Sequence, residues 1–393
     1  MPEPSRADQG AMSPRPAGRD PRLDVFRGIA LVMIFINHVP GTVFERFTSR
    51  NFGFSDAAEG FVLMSGIAAG LAYSSGLRHR PFWPGIARIW ARARQLYFMH
   101  IVTSVLALGI FAIAARFFGL YELLLTINIA PAIRDPLGAV IGLGTLGHQL
   151  GYFNILPLYA ALLLVTPAMI LIGLRQPLVL LALAILGWVL AGQFRINVPA
   201  YPNPGGWFFN PFSWQLIFVL GLIGGLAMKS GRSFYPKSRL LFWLSAFILL
   251  FVLVWMKVPP VGRAAGATLG WLRDLGVPFY LVSFDKTFLS LPRLLHALAL
   301  AYVLVSLPVV LQFARSRFVE PLALIGRNGL AVFATGSVLS ILIQAIRAGV
   351  ETGIAGDGLL LLAGLGIQVL LALSLEATRR STEQKRQRQA TLQ

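Results

Sequence analysis

The chain has no cysteine. Disulfides, thiolate nucleophiles and cysteine-ligated metals are therefore excluded. Charge is scarce as well. Asp, Glu, Lys and Arg make up 13% of the 393 residues, where a soluble domain carries about 25%. Acids are the rarer sign, 16 against 34 Lys and Arg. No repeat of solenoid period is apparent. What is present is apolar: hydrophobic residues reach 56% and the mean hydropathy is +0.70. The composition is that of a polytopic membrane protein.

Apolar runs near the ~20 residues needed to cross a bilayer fall at about 24–41, 58–76, 96–118, 152–174, 177–193, 212–229, 240–257, 294–313, 329–347 and 358–377. They predict an all-α bundle of about ten transmembrane helices, the fifth short, over residues 22–377. Segment 119–151 is apolar enough to hold a re-entrant piece or a further helix. Residues 1–21, polar and rich in Pro, Arg and Ala, predict a disordered tail, and 378–393 a basic C-terminal tail. No convincing small-residue cleavage site follows the first apolar segment, so it is expected to stay as a helix.

With the N-terminus inside, the cytoplasmic pieces collect 23 Lys and Arg and the opposite side ten, with Arg116 inside the third span. This bias fits an even number of spans and two cytoplasmic termini. The net charge of +18 is then largely topological and directed at anionic membrane lipid. Nucleic-acid binding is not needed to explain it.

The stretch Arg22–Gly66 organises the rest. RLDVFRGIALVMIFINHVPG carries Arg27 near one end and His38 near the other, and NFGFSDAAEGFVLMSG opens the second span with Asp56 and Glu59. On a helix Asp24 and Arg27 are one turn apart. His38 lies eleven residues beyond Arg27, about three turns and roughly 16 Å along the axis. The three can line one helix face. Ionisable residues in a membrane segment are costly and mark a site by default; the competing reading is an interfacial ion pair with a histidine closing the far end. Ser65 beside Gly66 reads as close helix packing rather than as a nucleophile.

Arg27 and His38 also show the R-x10-H spacing of the acyltransferase type 3 superfamily. RLDVFRG with His38, NFGFSDAAEGFVLMSG, YFNILPLY (152–159), WFFNPFSWQLIFVLG (207–221), DKTFLSLPRLLHALALAY (285–302) and GRNGLAVFATG (326–336) resemble, in this order, the OpgC family. The likeness runs from about residue 22 to 375. It implies an acyltransferase type 3-like bundle in the bacterial inner membrane, moving a succinyl group from succinyl-CoA to osmoregulated periplasmic glucan. Asp24, His38 and Glu59 match positions in its motif blocks, and Arg27 is implied as an organiser or coenzyme A contact. No resident cofactor or metal is expected.

Acyl transfer to a sugar hydroxyl needs a base and donors for the developing oxyanion. Histidine suits the first role because its unperturbed pKa is near ~6.5. His38 is the expected base, or a transiently acylated nucleophile, with Glu59 as the carboxylate that orients it. PFWPGIARIWARAR (81–94) reads as an interfacial amphipathic helix; its Arg88, Arg92 and Arg94 either anchor lipid headgroups or hold the phosphates of coenzyme A.

Further candidates lie toward the outer side. Asp56, His148, Gln149 and Asn154 stand near span ends. Asn210, Trp214 and Gln215 border an aromatic loop, 194–211, that is either an interfacial belt or a sugar platform. The long loop 258–293 holds Asp285, Lys286 and Arg293, with His296 just inside the next span; Lys286 or Arg293 could hold the free carboxylate of a succinyl group. His100 reads as interfacial packing and His79 as solvated. An acetyltransferase of another envelope glycan and a transporter or flippase remain as alternatives, and homo-oligomerisation stays open.

Overall fold

The computed structural model describes residues 20–391 apart from residue 234, without the side chains of 385, 386, 388, 390 and 391. The tail expected over 1–21 therefore lies, up to residue 19, outside the described residues. Among the described residues there are sixteen α-helices and no strand beyond an isolated bridge between Pro199 and Gly206. In chain order these are α1 (Pro21–Asn37), α2 (Ala57–Tyr73), α3 (Trp83–Phe118), α4 (Ile129–Arg134), α5 (Pro136–Gly144), α6 (Ile155–Arg175), α7 (Pro177–Phe194) and α8 (Pro211–Lys229). There follow α9 (Arg239–Lys257), α10 (Pro259–Asp274), α11 (Phe279–Val282), α12 (Leu291–Ser306), α13 (Pro308–Arg315), α14 (Glu320–Arg327), α15 (Gly329–Gly349) and α16 (Gly353–Thr391).

Each of the ten apolar runs lies on a helix or a bent helix pair. Among the described residues eight helices are long and apolar enough to cross a membrane, and the α12–α13 pair, bent by 74° at Leu307, makes nine if counted as one span. Helix α1 is shorter, at 17 residues, and carries both Asp24 and Arg27.

The structure gives detail to four expectations. Segment 81–94 is no separate interfacial helix: α3 runs unbroken for 36 residues, roughly 54 Å, because no proline interrupts it after its first turn. Segment 119–151 holds only a 3-10 turn and the short α4 and α5. The loop 258–293 contains α10, a helix with no buried residue that contacts α9, and the short α11. The C-terminal segment 378–391 continues α16 without a break.

Helices α1 and α2 are fixed by very close backbone approaches. Gly66 and Gly70 on α2 face Gly221 and Gly225 on α8, two small-xxx-small pairs. A Cβ at Gly66 would overlap the Phe218 carbonyl, and one at Gly221 the Leu63 carbonyl. The α1–α14 crossing is similar: Gly28 meets the Leu322 carbonyl and Gly326 the Asp24 carbonyl. Such contact gains dispersion and excludes lipid, the main driving terms between helices where no hydrophobic effect operates.

Gly221→Val is expected to cost at least ~1–3 kcal/mol by overpacking, while Gly109→Ala, with open space at its Cβ, is expected to be neutral or slightly stabilising. Thermal unfolding in detergent reads both. An unshifted midpoint for Gly221→Val would contradict the seam.

Candidate functional site

The site begins with the cap of α2. Asp56 is its N-cap, accepting from the Ala58 N–H at 2.8 Å, and Glu59 reaches back to accept from the Asp56 N–H at 2.9 Å. This D-x-x-E capping box leaves each carboxylate one more oxygen. Glu59 Oε1 takes both Nε and Nη2 of Arg293, at 2.8 and 2.5 Å. Asp56 Oδ2 takes Lys286 Nζ and stands 3.5 Å from Arg293 Nη2. Two acids and two bases thus close a neutral quartet linking α2, α12 and the turn before α12. Glu59 is fully buried, so its charge stands only because it is paired and hydrogen-bonded.

The turn carrying Lys286 is itself clamped. Trp214 on α8 donates its indole N–H to the Lys286 carbonyl at 2.9 Å, and Trp188 on α7 donates to the Leu289 carbonyl at 3.0 Å. Asn210 caps α8, donates from its side chain to Ile196, and gives its backbone N–H to the Thr287 carbonyl.

Above the quartet opens a cavity of about 730 Å³. His38, at the C-terminal end of α1, is on its wall beside Asp56, Lys286 and Arg293. Tyr152 packs on the imidazole with centroids 4.5 Å apart, and Phe333 meets it edge-on at 6.4 Å. Nδ1 of His38 is buried with no hydrogen-bond partner among the described residues. Gln344 donates to the His38 carbonyl at 2.7 Å and fixes the backbone. Tyr152 holds φ +76°, a conformation that costs a non-glycine residue about 1–3 kcal/mol and recurs at functional sites. The lining also carries an aromatic cluster in which Phe54, Trp255 and Phe284 pack mutually at 4.4–5.7 Å. The amides of Asn37, Asn128 and Asn154 complete the lining.

A second cavity, about 310 Å³, lies toward the other end of α1. Arg27, Arg92 and Arg327 line it with Tyr73, Tyr159 and Ser65. Arg27 also donates to the Met64 carbonyl at 3.3 Å. Arg327 pairs with Glu320 at 2.8 Å while its buried Nε has no partner among the described residues. The two cavities share two wall residues, Ile155 and Phe333.

The sequence model of the OpgC protein family matches residues 19–380. The chain belongs to the OpgC family. No curated protein and no solved structure gives a significant match. Membership points to an OpgC-type glucan acyltransferase, built as a multi-pass, all-helical membrane protein.

For this OpgC-family chain the structure regroups the expected site residues. His38, Asp56, Asn154, Lys286 and Arg293 share the larger cavity, and Arg27 and Arg92 the smaller. Glu59 does not orient His38: both its oxygens are taken by Arg293 and the Asp56 N–H. Asp24 is buried at the α1–α14 crossing and lines neither cavity. Arg88 and Arg94 are exposed on α3 and line neither cavity, because only Arg92 turns inward from that helix.

Several proposed substrate contacts are structural. Trp214 and Asn210 hold the 285–290 turn, and Gln215 donates to the Ala184 carbonyl at 2.7 Å, tying α8 to α7. Asp285 accepts the Phe288 N–H at 2.8 Å within its own turn. His148 is fully buried outside the cavity. His296 binds the Ser55 hydroxyl at 2.6 Å behind the cavity wall. Lys286 and Arg293 line the larger cavity while paired with Asp56 and Glu59, so their charge is already largely compensated there. The residues missed are Tyr152, Phe333, Arg50, Trp255 and Arg327. Tyr152, Phe333 and Arg327 lie inside the sequence blocks that resemble the OpgC family, whereas Arg50 and Trp255 lie outside them.

Arg293→Met strands Glu59 in the interior and is expected to cost about 3–5 kcal/mol. The double variant Glu59→Leu with Arg293→Met should recover most of that loss; additive losses in thermal unfolding would contradict the pairing. Burial pushes the Asp56 carboxyl up, but Lys286 and Arg293 outweigh it and hold the group down at about 2. Its contribution to stability is therefore complete above the unfolded value of ~3.9 and is lost as pH falls toward about 2. In Lys286→Gln this acid loss should begin at higher pH. Superimposable unfolding profiles for the two proteins between pH 6 and 3 would show that Lys286 does not hold Asp56.

Proposed function

We propose that the chain is a membrane O-acyltransferase that moves a succinyl group from cytoplasmic succinyl-CoA to hydroxyls of a periplasmic glucan. The observation that carries this reading is a pair of cavities, one lined by three arginines and the other by His38 with aromatic rings and amides, that share the wall residues Ile155 and Phe333. The smaller offers Arg27, Arg92 and Arg327, whose guanidinium forks match the phosphates of coenzyme A. The larger offers aromatic faces and amides beside His38, a lining that suits a sugar ring and its hydroxyls. The Lys and Arg bias puts the Arg27 end in the cytoplasm and the His38 end in the periplasm, with both termini cytoplasmic in the inner membrane.

In this reading His38 takes the proton of an acceptor hydroxyl as its oxygen attacks the thioester carbonyl carbon. The new C–O bond forms, the C–S bond breaks, and the proton passes to the departing thiolate. The histidine works without a carboxylate at Nδ1, so its orientation comes from Tyr152, Phe333 and the backbone bond from Gln344. The succinyl choice rests on family resemblance. Among the cations lining the larger cavity, Arg50 lies outside the quartet, 3.7 Å from Glu45, and is the candidate for a succinyl carboxylate.

A transporter would also use two chambers and a wall. Its mark, a helix broken near the midplane, is not what the α12–α13 bend supplies: the α12 end is bonded by Arg22 from the first turn of α1, at one end of the bundle.

Purified protein and His38→Ala, incubated with radiolabelled succinyl-CoA or acetyl-CoA with and without periplasmic glucan, test the proposal. Label entering glucan from succinyl-CoA, reduced at least ~100-fold in His38→Ala, is the expected result. Label from acetyl-CoA alone overturns the succinyl choice. No label from either donor overturns the acyltransferase.

A further inference from the structure

The wall between the cavities is built from few atoms. Phe333, in the second turn of α15, and Ile155, the first residue of α6, are the two residues lining both chambers, and both are nearly fully buried. Phe333 has a neighbour on each side. Its ring meets His38, which lines only the larger cavity, at 6.4 Å, and Phe61, which lines only the smaller, at 6.5 Å. The Arg27 cavity therefore ends, and the His38 cavity begins, at the thickness of one aromatic ring.

This geometry constrains any transfer between the chambers. Reacting atoms must approach to about 3–3.5 Å. A donor held by arginines in the smaller cavity can meet an acceptor in the larger one only if its acyl carbonyl reaches the level of Phe333. The acyl chain beyond the carbonyl must then fit between the Phe333 ring, the Ile155 side chain and His38. A phenyl ring held in a close-packed interior does not yield freely to added methylenes. The same ring keeps the water of the larger cavity from a thioester waiting in the smaller one.

We infer that Phe333, with Ile155 opposite, is the residue that sets acyl-chain length and shields the donor thioester from hydrolysis. This rests on the acyltransferase reading above. Phe333 acts through shape, with no proton or bond of its own. Opening the wall has two consequences. Longer acyl groups fit past it, and water reaches the thioester, so that a C–O bond to water forms, the C–S bond breaks, and free acid and thiol appear without acceptor.

The test uses full-length protein in detergent or lipid, with coenzyme A thioesters of acetate, succinate, butyrate, hexanoate and octanoate. Wild type, Phe333→Ala, Phe333→Leu and Ile155→Ala are assayed for transfer to glucan and for thiol release without glucan. Phe333→Ala should raise the ratio of hexanoyl to short-chain transfer about tenfold or more and raise acceptor-free thiol release. Phe333→Leu, which keeps the core filled, should move both readouts in the same direction by less. Ile155→Ala opens the wall from the other side and should reproduce the change, which keeps the test decisive if Phe333→Ala does not fold. Wild-type transfer with unchanged chain-length profiles and unchanged thiol release in the folded variants overturns the role of Phe333. Absence of any transfer by wild type overturns the acyltransferase reading beneath it.

Discussion

The charged quartet of Asp56, Glu59, Lys286 and Arg293 is the constraint on which the rest of the site depends. Four ionised groups in a largely apolar bundle are tolerable only together, since each alone would pay a desolvation cost of several kcal/mol. Their mutual bonds fix the start of α2, the start of α12 and the turn between α11 and α12 in a single register. Two carboxylates that also cap α2 are committed twice, to the helix backbone and to the cations. The floor of the His38 cavity is therefore rigid, and the aromatic and amide walls are assembled upon it.

The second constraint is steric. Glycine pairs let α2 press against α8 and α1 against α14, and these contacts leave no freedom in how the two first helices lie. Arg27 and His38, on one helix, are then delivered to different chambers whose common wall is Ile155 and Phe333. One rigid helix thus carries a cation for one cavity and an imidazole for the other, about 16 Å apart along its axis. That separation is built into the spacing of the two residues and needs no motion to create it.

Much of this was legible in the sequence, for physical reasons. The ten apolar runs located the long helices because hydropathy over a membrane's thickness is a strong signal. Gly66 read as a packing residue, and α8 supplies its partner. The helical spacing of Arg27 and His38 placed both on cavity walls. Asp24, at equally suggestive spacing, turned instead into the α1–α14 crossing, because periodicity gives a face but not what the face meets. Nearness in the chain suggests Glu59 as the partner of His38, whereas its oxygens meet Arg293 and the Asp56 N–H. The D-x-x-E pattern at 56–59 already announced a capping box, which would have pointed both carboxylates at the α2 backbone. Partners 230 or more residues away, Lys286 and Arg293, could not be seen locally. Trp214 and Asn210 differ from expectation for a related reason: in sequence, an aromatic and an amide near an interface look alike whether they meet a sugar or a turn.

The central claim is that two chambers open toward opposite faces of the membrane and meet at Phe333. The absence of cysteine in the chain makes it directly testable. Asn154→Cys places a single thiol in the His38 cavity and Ala72→Cys one in the Arg27 cavity. Each would be exposed to a membrane-impermeant maleimide in right-side-out and in inverted vesicles. The expected result is labelling at position 154 from the periplasmic face alone and at position 72 from the cytoplasmic face alone. Labelling of both positions from the same face, or of either one from both, would contradict the two-chamber arrangement.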